Sequence, residues 1–463
     1  MNGPIVTASG QARHAAPKPF TRRGLGGAGL GVVGVLGAAC GAGQGAGGAS
    51  GAETTAQGKR FAKQVEIEYW KSISGLAHDA QVKLTNDFNA SRQDVKVNLV
   101  DAGGYDQGAE KFQAAAAGGT PPDVMLFTVD SYGRPFARMG LLAPVDEFLK
   151  ADKAVADKYL PGLMKDGQVS GKQYQVPFSR STEILLVNKD QLKAAGLPET
   201  APATWQELND TAQKLLRAGV TQAPSNGGDK FTFSALALWW SFQSMLWAFG
   251  GRYSDEKFNV TVTEPAAVAA AQYLQDMVYK TRIAQAYKSS GNARTDFVTG
   301  VIPLYIQSTS GLTAMEKDAS FRVGAAFVPK HKEQAVHSGG SGLNIIQASA
   351  REKKEASWEF VKFMTNVENT IYFSQQTGYM VVRTDAIEQP AMKDYLAKNP
   401  NARVVFDQAR HIKATDEIAT APQAIKYIDA ALAKILTEQA PVRATFEGLT
   451  TDLKQSASQV PGR

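Results

Sequence analysis

The sequence predicts an α/β fold in two lobes, on three observations. Strand-like and helix-like periods alternate from Val65 onward. The opening run reads β-α-β-α-β, which requires parallel strands and right-handed crossovers. The chain of 463 residues is too long for one sheet of ordinary size, so two lobes fit better than one.

Val65–Trp70 alternates with period two, a half-buried strand. Leu76, Ala80, Leu84 and Phe88 recur every fourth residue and mark one helix face. Val95, Val97 and Leu99 alternate again. Gly103-Gly104-Tyr105 is a turn, and Ala109–Ala117 is helical up to Gly118-Gly119. Val124–Phe127 is a short, fully apolar strand. Pro177-Phe178 breaks the chain, and Ser179-Arg180-Ser181-Thr182 is a polar run at the mouth of a buried strand, Ile184–Val187. Open α/β sheets bind ligands at such strand mouths; a solvated turn is the plainer reading. Thr204-Trp205-Gln206-Glu207 is a capping box for a helix ending near Gly219.

Asn226–Lys230 reads as a polar loop, and Phe233–Phe249 as one long apolar helix. Pro265 opens the next helix at its first turn. Val301–Ile306 is a strand, and Ser308–Gly311 leads into a helix at Leu312–Lys317. Phe321–Val328 is strand-like. Ser338–Gly342 is a loop before the strand Leu343–Ile346. Glu352–Thr365, Glu368–Gln375 and Gln423–Glu438 are amphipathic helices.

Net charge is +6, but Arg13, Lys18, Arg22 and Arg23 precede Cys40 with no acid among them. The rest is near neutral, and no basic stripe interleaved with aromatics marks a nucleic-acid surface. The single cysteine, Cys40, excludes an intrachain disulfide and a cysteine-based zinc cluster. It follows Arg22-Arg23 and the apolar, glycine-rich run Gly24–Ala39, the pattern of a signal peptide over residues 1–39. That pattern resembles a lipoprotein signal, in which cleavage leaves the cysteine lipid-anchored, although Gly37 stands where a leucine is usual. Residues 40–60 then read as the anchor and a flexible tether, and residues 61–463 as the folded part.

Four segments occur in order: Pro177–Lys189, Thr204–Leu208, Ala248–Gly251 and Gln375–Tyr379. Together they resemble the extracellular solute-binding proteins of ABC importers, sugar-binding family 1. The chain is most similar to the glycerol-3-phosphate and glycerophosphodiester branch. The resemblance implies a periplasmic-binding-protein-like fold that closes about a hinge on a ligand between its lobes. It also implies a monomeric receptor outside the cell membrane, a small-molecule solute, membrane permease subunits with their ATPase as partners, and neither cofactor nor metal.

Several loops pair glycine with hydroxyls or an aromatic ring, a chemistry that suits a polyol, a sugar or a phosphorylated polyol. Tyr105, Ser181, Ser310, Gly340 and Tyr379 match ligand-contacting positions of that branch. Ser308 shares a loop with Ser310, where a helix start favours an anion. Asp130 matches the branch's polyol-holding acid if one residue is inserted after the third strand. Arg180 is the cation next to Ser181. Trp240 and Trp247 are candidate walls, though a helix rich in Trp and Leu also reads as core. The branch's phosphate-binding arginine has no counterpart: Ala419 stands there, so Arg180, Arg410 or Lys413 replaces it, or the ligand is a phosphodiester or a neutral saccharide.

The chain has no P-loop, no H-E-x-x-H and no G-x-S-x-G motif. It reads as a binding module rather than an enzyme. The competing reading is a secreted glycoside or phosphodiester hydrolase using Asp130 and Glu183 as a carboxylate pair.

Overall fold

In a computed structural model, the structure describes residues 58–221 and 229–461. Cys40, the signal peptide, most of the tether and most of the Asn226–Lys230 loop lie outside the described residues. The described fold begins slightly upstream of the expected boundary. The Lys59 backbone N–H donates to Glu359 and its ammonium pairs with Glu355 at 2.5 Å, while the Phe61 N–H donates to Asp94.

Three parallel strands form the first sheet as expected: Val95–Asp101, Val65–Lys71 and Val124–Thr128, in that spatial order. Val336–Ile345 extends it antiparallel to Val124–Thr128, and Val176–Asn188 pairs antiparallel with Val336–Ile345, so it again runs in the direction of the first three. Within Val124–Phe127 the side chains alternate between two cores. Val124 and Leu126 join the core under the helices Leu76–Ser91 and Arg351–Met364, and Met125 and Phe127 join Phe112 and Phe136 on the other face. A strand covered on both faces shows a continuous apolar run.

Val176–Asn188 is one strand of 13 buried residues. Its first half belongs to the first sheet. Its second half pairs with Leu304–Ser308 and Val323–Ala326, and the second sheet continues through Phe233–Leu236 to Ala284–Tyr287. Leu185 and Val187 face the core of the helices Trp205–Ala218, Pro265–Tyr279, Ala424–Thr437 and Val442–Ser458, and Ile184 and Leu186 face the opposite side. Thr204 caps its helix as expected, accepting from the Glu207 N–H at 3.1 Å, while Glu207 accepts from the Ala203 N–H at 2.8 Å.

Three elements differ from their sequence reading. Pro177–Thr182 is a central strand rather than a turn, because the antiparallel partner Val336–Ile345 covers it; its proline sits where the register shifts between Gly340 and Gly342. Ser338–Gly342 is likewise inside a strand, where glycines allow close approach of two backbones. Phe233–Phe249 is not one helix but the strand Phe233–Leu236 followed by the helix Trp239–Ala248. A run apolar on all sides does not distinguish a buried strand from a buried helix.

Candidate functional site

The end of the first sheet, the end of the second and the loop after the helix Val367–Thr377 meet at one hydroxyl cluster. Tyr105 opens the helix Tyr105–Ala117, and its Oη lies 3.2 Å from Ser341 Oγ. Tyr379 neighbours both Tyr105 and Ser310, close enough for each to act on its phenol electrostatically. Ser310 Oγ lies 2.9 Å from Ser308 Oγ, and Ser308 Oγ accepts from the Ser310 N–H at 3.3 Å. Burial raises both phenols above the ordinary tyrosine range, so each keeps its proton and can donate. Gly378 adopts φ 87°, which turns the chain from the helix into Tyr379. Ser341 was missed from sequence, because its strand is buried along nearly its whole length and carries no alternation.

Next to this cluster run Val176–Asn188, the strand shared by both sheets, and its antiparallel partner Val336–Ile345. Ser181 pairs with Gly339, and Arg180 with Gly340. A Cβ added at Gly339 would lie 2.8 Å from Trp240 Nε1 and 3.0 Å from Ser181 Oγ, so Trp240 packs directly on this backbone beside Ser181. Arg180 is 1% exposed. Its guanidinium donates to Asp166 at 2.6 Å and to Ser338 Oγ at 2.7 Å. Ser338 in turn donates to Asp166 at 2.8 Å. Arg180 is thereby a structural cation, neutralised by a carboxylate of its own.

Asp130 follows the third strand on a single wide turn, Val129–Gly133. Its Oδ2 accepts from Thr415 Oγ1 at 3.0 Å, and Thr415 Oγ1 lies 2.7 Å from His337 Nε2. With the hydroxyl proton given to Asp130, His337 Nε2 carries the hydrogen and donates to Thr415. Burial, reinforced by the Arg180 charge, pushes His337 down to about 3, so it is neutral. Trp239, Trp240 and Trp247 surround it, with ring centroids 5.2, 6.3 and 5.7 Å away. Trp247 is 1% exposed and donates to Asp416 Oδ1 at 3.1 Å. It lies behind His337 and braces the segment that carries Asp416.

Burial raises Asp130 to about 6; Arg134 and Arg180 oppose that shift and Asp166 adds to it. A carboxyl raised in the folded state favours folding at low pH. That contribution is full below the unfolded value near 4 and is lost as pH rises through about 6. Asp130→Asn retains the acceptor for Thr415. It should raise stability by about 2–3 kcal/mol at pH 8 and change it little at pH 4, read by chemical denaturation at both values. An equal effect at the two values would refute the assignment.

Of the cations expected to replace the missing arginine, none stands free at this cluster. Arg180 is paired as above. Lys413 pairs with Glu333 at 2.6 Å. Arg410 lines a separate cavity of about 600 Å³, with Leu160, Leu163, Met380, Leu396 and Phe406. Ala419 is buried in the turn Glu417–Thr420. Glu183 is 0% exposed, bonded to Ser244, and raised well above the carboxylate range by burial. Among the described residues, no group of three His, Cys, Asp or Glu side chains could hold a metal ion, and no helix is long and apolar enough to cross a membrane.

A cluster of hydroxyls between two α/β halves joined by the shared strand Val176–Asn188 defines a two-lobed solute-binding fold. The sequence profile of the family described as bacterial extracellular solute-binding protein matches residues 83–402, and the chain belongs to that family. The chain is 28% identical over 362 residues to the sn-glycerol-3-phosphate-binding periplasmic protein UgpB of Pectobacterium atrosepticum, covering 74% of this chain and 79% of that one. It is 27% identical to the UgpB of Salmonella paratyphi A, covering 74% and 80%. Among solved structures, UgpB from Mycobacterium tuberculosis in complex with glycerophosphocholine superposes with a TM-score of 0.78 at 33% identity, over 86% of this chain and 99% of that one. Maltose-bound MalE3 of T. maritima shares the fold, with a TM-score of 0.73 at 22% identity over 84% and 99%. These relatives are binding proteins, not enzymes.

Proposed function

We propose that this protein is the receptor of an ABC importer, anchored by a lipid on Cys40 at the outer face of the cell membrane after removal of residues 1–39. It captures a polyol-type solute, a glycerophosphodiester, glycerol-3-phosphate or a sugar, and presents it to membrane permease subunits. The observation that carries this reading is the hydroxyl cluster of Tyr105, Tyr379, Ser308, Ser310 and Ser341, assembled from distant parts of the chain at the junction of the halves. Protonated phenols and serine hydroxyls match the alternating donors and acceptors of a polyol. The named ligands of the UgpB relatives support the phosphorylated members of this class. Ala419, which supplies no cation, favours a second reading, a neutral mono- or oligosaccharide. Nothing comparable supports a hydrolase, because Glu183 is enclosed in the core and engaged by Ser244.

The test is thermal unfolding of the protein against glycerol-3-phosphate, glycerophosphocholine, maltose and a panel of monosaccharides. A ligand at a hundred times its Kd adds about 2.7 kcal/mol to stability, enough to move the midpoint measurably. A rise with any of these solutes supports the receptor. No rise with any of them, together with product release from a glycoside or phosphodiester, would sink it.

A further inference from the structure

Arg134 and Arg138 are four and eight residues beyond Asp130, on the helix Arg134–Arg138 that continues the Val129–Gly133 turn. Both reach the segment Glu417–Thr420, which packs with the second sheet's core through Ile418. Arg134 Nη2 is paired with Glu417 Oε1. Arg138 donates to Glu417 Oε2 at 3.1 Å and to Thr420 Oγ1 at 2.7 Å. The arginine side chains are only 14% and 13% exposed.

Two features set this cluster apart from an ordinary contact. Two partly buried guanidiniums share one carboxylate, which leaves one positive charge uncompensated within the trio. Arg134 Nε, moreover, is buried with no hydrogen-bond partner. The cluster also adjoins the candidate site. Arg134 acts on the Asp130 carboxyl through its charge, and Asp130 is bonded to Thr415, two residues before Glu417. The charge excess has a cost: burial and the neighbouring Arg134 both disfavour the charged form of Arg138.

We propose that Arg134 and Arg138 form an anion subsite for a phosphoryl group on the bound solute, with Glu417 as the resident counter-charge displaced from Arg134 on binding. The planar guanidinium fork matches phosphoryl oxygens two at a time, and a phosphodiester's single charge equals the charge the trio leaves over. The cation absent at Ala419 is then supplied from the facing half of the molecule. This assignment rests on the receptor reading and narrows its ligand to phosphorylated polyols. Monoester and diester share the recognised group, and the ligand set separates them.

The experiment is calorimetric titration of the full chain with glycerol-3-phosphate, glycerophosphocholine and maltose, on wild type, Arg134→Ala, Arg134→Lys and Glu417→Gln. Arg134→Ala should weaken the phosphorylated ligands by about tenfold or more, with Arg134→Lys intermediate. Any binding of maltose should stay unchanged. Glu417→Gln should strengthen the phosphorylated ligands, because it removes the competing anion. Should Arg134→Ala fail to fold, Glu417→Gln decides alone, since a merely structural bridge predicts loss rather than gain. Equal weakening of every ligand by these variants would overturn the subsite. Binding of maltose but of neither phosphorylated glycerol would overturn it too while leaving the receptor standing. Binding of none of the three would overturn both.

Discussion

Replacing Arg180 by leucine should cost the fold about 3–5 kcal/mol, because it leaves the Asp166 carboxylate partly buried with only a serine hydroxyl for company. The magnitude comes from burial: the Arg180 side chain is 1% exposed and Asp166 is 11% exposed. In so little water the lost attraction is not made up by solvent. Urea denaturation reads the change directly, with an unaltered slope showing that the unfolded state is the same. The double variant Arg180→Leu with Asp166→Leu should recover a large part of the loss, since it removes the orphaned charge as well. A loss below about 1 kcal/mol for the single variant would show that the guanidinium is solvated after all and free to meet a ligand.

Gly340→Ala should be similarly severe, about 3–5 kcal/mol, from two sources that act together. The backbone at Gly340 has φ 87°, a left-handed conformation that side chains resist. A Cβ there would also collide with the Ser179 carbonyl oxygen of the paired strand. Relief requires the two paired strands to separate, which would disturb Ser181 and Trp240 as well. Gly119 is the control: it has φ 74° but nothing within 4 Å of an added Cβ. Gly119→Asn should therefore cost no more than about 1 kcal/mol. Comparable losses at the two glycines, measured by thermal unfolding, would refute the steric part of the argument.

The opening strands and helices were legible because each alternates between a buried face and a wet or differently buried one. Val65, Ile67 and Tyr69 all face one core, and the period shows it. The Thr204 cap was legible because capping is local. The junction was not. Ser179, Ser181, Thr182 and Ser338 are small and polar, the composition of a surface turn, yet all are buried. Their burial comes from pairing between segments more than a hundred residues apart, which no local pattern encodes. Of the expected site residues, Tyr105, Tyr379, Ser308 and Ser310 converge on one cluster, and Asp130, Ser181 and Trp240 lie near the paired strands. Arg180 and Trp247 are engaged by Asp166 and Asp416. Arg134 and Arg138 carried no motif. Their only signal was spacing from Asp130 on one helical path.

The late partners of the first sheet have a consequence for how the chain is made. The first sheet begins with residues 65–128, but its fourth and fifth members are residues 336–345 and 176–188. Its early strands cannot be completed by the residues synthesised next. At ordinary elongation rates the exposed edge of Val124–Thr128 waits roughly 10–40 s for Val336–Ile345 to emerge from the ribosome. During that interval the nascent chain presents an unpaired, fully apolar β-edge and no finished half. Neither half is built from consecutive residues alone, so the first sheet cannot be completed before Val336–Ile345 is made.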